Sequence, residues 1–262
     1  MNKLLEKTKM SVRMEAELET ANLVQRTLFP QPLFKSASIE LAGINDTASE
    51  CGGDLWHYYE VKNRIYLFIG DVVGHGVPSA LMTTAARAVT AILELQPEKS
   101  PGEILTLLNQ AIFETSKGKM WMTFFVAYLD KQTGEIYYAN ASHNAPFVFK
   151  AKEKLKKSEI DSMMEISGPS LGREKSPIYK EYKHQLHNGD YVLFYTDGLS
   201  ECVNEQKEQL GEVGLIKALL KIWSHQMSVQ EFTSKVDSIV QSHRGTEPYE
   251  DDITYFVVNW KK

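Results

Sequence analysis

The 262-residue sequence predicts an α+β fold built mainly on antiparallel sheet. Strand-like segments come in runs separated by paired helical segments, and there is no steady βαβ alternation. Short apolar runs are repeatedly closed by turn residues, as in hairpins. Residues 2–28 contain no Gly or Pro and are rich in Leu, Glu, Lys, Ala and Met, which predicts one helix. Met14, Leu18, Ala21, Gln25 and Leu28 recur at alternating spacings of four and three, a short a/d seam with one polar position after the polar Lys7 and Ser11. Residues 29–32 (FPQP) stop that helix, so residues 1–30 are expected to form a linker or dimerisation helix and residues 31–262 a separate domain.

From Ile39 onward the pattern becomes strand, turn, strand. Residues 55–61 and 65–73 flank Lys62-Asn63-Arg64, where a tight turn pairs them as a hairpin. Residues 77–95 have helical composition and stop before Pro97, and Ser100-Pro101-Gly102-Glu103 fits a capping box opening a second helix to about Ser116. Strand candidates follow at 122–130, 136–141, 147–151 and 182–186, and Asn188-Gly189 turns into the apolar run 191–196. Residues 212–223 and 229–243 read as helices, the second behind a capping box from Ser228 to Glu231, and a last strand spans 253–260.

Composition excludes several classes. A net charge of -5 does not suit a protein whose main partner is a nucleic-acid backbone. The basic stretch 150–157 is interrupted by Ala and Glu and reads as a solvated loop. Cys51 and Cys202 are far apart and lack CxxC spacing, so neither a disulfide framework nor a thiolate zinc site is indicated. No apolar run has signal-peptide or membrane-span length, so a cytoplasmic protein with no membrane partner is expected.

The informative feature is where aspartates sit. Asp54 precedes one hairpin strand and Asp71 lies near the end of its partner, so the hairpin makes them neighbours across the ladder. Asp197 closes the run 191–196, and Asp251 and Asp252 open the final strand. In an antiparallel sheet a strand ending in Asp and a neighbour beginning with Asp present both at one edge. Adjacent carboxylates raise each other's pKa unless a cation lies between them, and an all-oxygen set suits Mg²⁺ or Mn²⁺ better than zinc. Each position alone is an ordinary turn residue; their mutual consistency is what suggests a metal site. A thiol-phosphatase loop, GxxxxGK[ST], HExxH and GxSxG are absent. Residues 74–79 (GHGVPS) imitate a dinucleotide-binding turn, but Ser79 replaces the third glycine and no second parallel strand follows.

These residues resemble the metal-dependent PPM phosphatases, specifically the bacterial SpoIIE/RsbU-type branch. The resemblance spans about residues 21–260: QRTLFP (25–30), CGGD (51–54), GDVVGHG (70–76), NASHNAP (140–146), NGD (188–190), TDGLSE (196–201) and DDIT (251–254). It implies an α-β-β-α sandwich of two mainly antiparallel sheets with two Mn²⁺ or Mg²⁺ ions at one edge. Asp71 would bridge them, the Val72 carbonyl would add a ligand, Asp197 and Asp251 would hold one ion, and Asp54 would complete the other. Asp252 would either ligate or fix its strand.

The implied reaction is hydrolysis of a phosphoserine or phosphothreonine on a protein, by water activated between the metals. The implied substrate is a STAS-type anti-anti-sigma protein in a partner-switching circuit, with an upstream sensor acting through the N-terminal helix, which can pair as a homodimer. Two alternatives stand beside this: a non-catalytic binding module of the same fold, and a nucleotide-binding enzyme using Gly74 to Ser79. Eukaryotic relatives carry a phosphate-gripping arginine before the first acid, whereas residues 43–61 here contain no Arg or Lys. His75 and His143 are read as residues shaping turns, and Cys51 and Cys202, each within five residues of an expected ligand, raise the idea of a redox switch.

Overall fold

The computed structural model describes residues 2–96 and 98–262. In chain order the elements are α1 (Asn2–Arg26), β1 (Leu33–Lys35), β2 (Ile39–Asp46), β3 (Leu55–Val61), β4 (Arg64–Val72), α2 (Val77–Leu93), α3 (Pro101–Ser116), β5 (Met122–Asp130) and β6 (Glu135–Ala141). They continue with β7 (Phe147–Phe149), β8 (Ile160–Ser162), β9 (Tyr182–Gln185), β10 (Tyr191–Tyr195), α4 (Asp197–Glu201), α5 (Gly211–Ile222), α6 (Val229–Arg244) and β11 (Ile253–Trp260). One sheet runs β1-β2-β11-β10-β7-β8 and the other β3-β4-β5-β6-β9. Every described ladder is antiparallel, which removes the parallel partner that the dinucleotide-turn reading of Gly74 to Ser79 requires.

The two sheets stack face to face with helices outside, because the strands are apolar on both faces. Along β4, Ile65, Leu67 and Ile69 point between the sheets, where they meet Phe194, Phe256 and Trp56. Tyr66 and Phe68 point the other way, onto Ile104, Leu105 and Leu108 of α3. Along β11, Phe256 and Val258 face inward while Tyr255 and Val257 meet Phe232 and Val236 of α6. Period-two alternation thus builds three apolar layers from two sheets. The Phe194 and Phe256 rings stack at 4.5 Å across β10 and β11.

Both expected capping boxes are formed, at Ser100/Glu103 and Ser228/Glu231. The hairpin turn is shorter than expected: Val61 pairs with Arg64, leaving Lys62 and Asn63 as its tip, with Lys62 at φ 52°. The strands expected at 147–151 and 182–186 end at Phe149 and Gln185. Pro97, the expected helix stop, lies outside the described residues. Among the described residues no helix is long and apolar enough to cross a membrane.

The N-terminal helix departs most from expectation. Its seam is not an apolar contact stripe on this chain: Met14 and Ala21 are exposed, Leu18 and Leu28 are half-buried, and the polar position, Gln25, is the buried one. The side chains of Lys7 and Ser11 lie outside the described residues.

Candidate metal centre

The β3–β4 register sets the first pair of acids. Leu55 pairs with Gly70, so the next step of the ladder places Asp54 opposite Asp71. Asp54 is buried, and burial first, then the charges of Asp71 and Asp252, hold its carboxyl well above the usual range. Asp71 is pushed up to about 8 by burial, followed by the charges of Asp197 and Asp251, with a hydrogen bond to the Asp54 carboxyl offsetting part of the rise.

The other sheet delivers the remaining acids to the same edge. Asp197 is the first residue of α4, at the point where β10 leaves the sheet, and burial and then Asp251 raise its carboxyl. Sequence reading placed Asp197 at a strand end and missed this five-residue helix. Gly198 is needed there: a Cβ would lie 2.0 Å from the Asp252 carbonyl oxygen. Asp251 is exposed and its Oδ1 accepts from the Asp252 N–H at 2.8 Å. Asp252 is buried; its Oδ1 accepts from Ala48 N at 2.8 Å and its Oδ2 from Gly53 N at 2.6 Å. The Val72 carbonyl faces Gly53, and Val72 N donates to the Gly53 carbonyl at 3.3 Å.

Two strand ends from each sheet therefore bring five aspartates within electrostatic reach of one another. Among the described residues no three His, Cys, Asp or Glu side chains converge on one ion-sized position. Asp71 hydrogen-bonds the Asp54 carboxyl, and Asp54 and Asp252 also accept from hydroxyl and amide donors. The chemistry of the donor set still fits hard divalent cations: oxygen donors only, among them Asp54, Asp71 and Asp197, whose carboxyls are raised first by burial and then by neighbouring carboxylates that a cation would offset.

Several supporting residues were not assigned from sequence. Thr196 Oγ1 donates to Asp54 Oδ2 at 2.9 Å and accepts from Thr254 N at 3.1 Å, joining the acid of one sheet to two strands of the other. Thr196 lies beside Asp197 in the TDGLSE motif and Thr254 two residues after Asp252 in DDIT, which was the available signal. Thr83 Oγ1 on α2 donates to the Gly53 carbonyl at 2.8 Å. On β5, Thr123 pairs with Asp71, and its hydroxyl is 2.8 Å from His143 Nδ1. His143 is buried, its loop is closed by the Asn140 side chain on both the His143 N–H and carbonyl, and burial pushes its imidazole down to about 3. It is neutral at physiological pH. His75 is exposed between Gly74 and Gly76, both at positive φ. Cys51 and Cys202 are buried, and burial pushes both thiols up, away from the thiolate that redox sensing needs.

The N-terminal helix and the segment just after it are tied to this assembly at three points. Asn22 donates to the Glu50 carbonyl. Gln25 donates to the Gly52 carbonyl at 2.6 Å and accepts from Gly52 N at 3.0 Å. Arg87 of α2 donates to the Leu28 carbonyl at 3.0 Å and lies 3.5 Å from Glu94, which also bonds His57 at 2.8 Å.

Comparison with known proteins agrees with this architecture. The sequence profile of the SpoIIE family, described as Stage II sporulation protein E, matches residues 62–261. The chain is 28% identical over 193 residues to Phosphoserine phosphatase RsbU of Bacillus subtilis (strain 168), covering 73% of this chain and 55% of that protein. The chain thus spans about half the length of the curated relatives it matches. The SiaA-PP2C domain of Pseudomonas aeruginosa superposes with a TM-score of 0.78 at 22% identity, covering 95% of this chain and 98% of that one. RsbX in complex with magnesium superposes with a TM-score of 0.64 at 15% identity, covering 87% and 98%.

Proposed function

The chain belongs to the SpoIIE-type branch of the PPM phosphatases, and from that premise we propose that it hydrolyses phosphoserine or phosphothreonine on a protein in a reaction requiring Mn²⁺ or Mg²⁺. The observation that carries the reading is the pairing of Asp54 with Asp71 beside Asp197 and Asp251, with an Asp71 carboxyl pushed up to about 8 by its burial and its neighbours. A carboxylate in that environment needs a cation to stay ionised at neutral pH.

When bound, a pair of such ions supplies an acidified water and neutralises the phosphoester. The residues that would hold them are Asp71 with the Val72 carbonyl, Asp54, Asp197 and Asp251. Asp252 is assigned to positioning: with both oxygens taken by Ala48 and Gly53 amides, it holds the 48–53 loop against the start of β11. Thr196 orients Asp54 by its hydroxyl, and Thr123 fixes the backbone across from Asp71. The neutral His143 holds Thr123 and is not given a proton to transfer.

RsbU, the relative described above, is a phosphoserine phosphatase by name. By that likeness we assign this chain a phosphorylated STAS-domain protein as substrate, within a partner-switching circuit. The test is phosphate release from a panel of serine-phosphorylated STAS proteins with Mn²⁺, with Mg²⁺ and with chelator. Metal-dependent release supports the assignment. Tight binding without release would instead make the chain a non-catalytic binding module.

A further inference from the structure

On the β4–β5 side of the acid edge the surface carries exposed apolar side chains together with Arg173 and Lys119. Val73, Val77, Leu81 and Trp121 are 45%, 43%, 60% and 37% exposed. Val73 lies two residues beyond Asp71, and its N–H donates to the Trp121 carbonyl at 3.1 Å. Val77 and Leu81 stand one turn apart on α2, whose other face, at Ala80, Met82, Thr83 and Ala86, is buried.

Beside Trp121 runs a loop whose backbone is held with unusual care for an exposed segment. Leu171 bridges to Met122, and Gly172, at φ +81°, approaches so closely that a Cβ would lie 2.7 Å from the Met120 carbonyl. The buried Asn109 side chain of α3 then accepts from Gly172 N at 2.9 Å and donates to the Glu174 carbonyl at 3.0 Å. Those two bonds bracket Arg173, which is exposed. Among the described residues neither Arg173 nor nearby Lys119 makes an ion pair. An exposed guanidinium on a clamped backbone, making no ion pair among the described residues, is available to a group outside the chain.

Building on the phosphatase reading above, we propose that Val73, Val77, Leu81, Trp121 and Arg173 form the docking face for the phosphorylated protein substrate. The occupant is a folded protein that carries an apolar patch and an acidic group beside its phosphoserine. Continuity is the first argument: the face begins two residues from Asp71, so a protein delivering a phosphoryl group to the acid edge has to cover it. Charge is the second, because a phosphoprotein is anionic where it approaches, and Arg173 is the cation that meets the acidic group beside its phosphoserine. An apolar centre rimmed by charge is the ordinary anatomy of such a contact.

The test measures kcat and KM with Mn²⁺ for a serine-phosphorylated STAS-domain protein and, separately, for p-nitrophenyl phosphate, using the full chain, Leu81→Glu and Arg173→Glu. Each variant is expected to raise KM for the phosphoprotein by about tenfold, while turnover of the small ester stays within about twofold. Equal losses on both substrates, or no loss on either, would overturn the docking face. A change in sedimenting mass for Leu81→Glu would also overturn it, by making the face a contact between copies. If the unmodified chain hydrolyses neither substrate, the phosphatase reading falls and the docking face falls with it; activity on the small ester keeps the two failures apart.

Discussion

Gln25 of the N-terminal helix and Gly52 of the loop before Asp54 are joined by a two-point amide contact, Nε2 to carbonyl at 2.6 Å and N–H to Oε1 at 3.0 Å. The contact is buried and works like one rung of a β-ladder made by a side chain. Since Gly53 next to it donates to Asp252 and precedes Asp54, the position of the helix and the position of two acids are mechanically linked.

Gln25→Ala should therefore weaken metal activation without touching a ligand. It leaves a buried N–H and carbonyl without partners, at about 1–3 kcal/mol, and removal of a support behind a metal ligand costs about tenfold in metal affinity. Titrating activity against Mn²⁺ reads this as a shift of the activation midpoint. An unchanged midpoint would show that the loop holds its own geometry.

Asp71→Asn and Asp197→Asn should each lose about a hundredfold or more in turnover at saturating metal while remaining folded. Their charge is needed for cations and opposes the metal-free fold, so each variant should melt slightly higher than the unmodified chain in chelator at pH 8. Near-normal turnover in either variant would remove that residue from the ligand set.

Metal-free stability should fall as pH rises. Asp71 is raised from an ordinary 3.8 to about 8 in the folded chain, so between those values the folded state holds a proton that the unfolded state has released. Unfolding free energy then declines across that window and levels off above it. Saturating Mn²⁺, which replaces the proton, should flatten or reverse the slope. Melting temperatures in chelator at pH 5, 6, 7 and 8 test the sign; a rise towards pH 8 would contradict it.

The remaining expectation concerns the helix as a connector. With Met14 exposed and Leu18 half-buried, the seam is free for a second helix. Sedimentation and specific activity should be compared for the intact chain, Leu18→Glu and a form lacking residues 1–28. A weak dimer lost in Leu18→Glu, and a truncated form about tenfold less active through loss of Gln25, are expected. One mass per fold and one specific activity in all three would end the idea.

What could be read in the sequence follows range and length. The Asp54–Asp71 juxtaposition was legible because a tight turn at Lys62-Asn63 fixes the ladder locally. The arrival of Asp197 and Asp251 at the same edge rests on β10 pairing with β11, far apart in the chain, and only the paired strand ends hinted at it. β1, β8 and α4 were missed because three to five residues carry no period to recognise. Gln25 looked like a defect in an apolar seam, since its partner is backbone, and backbone leaves no mark in a sequence. Arg173 was invisible for the same reason: what marks it is the clamp on its neighbours' peptide groups.

β11 follows every other described strand in the chain and sits between β2 and β10 in the middle of its sheet. Until residues 253–260 have been made, β2 and β10 therefore each present an unpaired edge to the other. The start of the same strand carries Asp251 and Asp252, so the candidate acid edge and the middle of this sheet are completed together. A chain interrupted shortly before Ile253 would be prone to edge pairing with other chains.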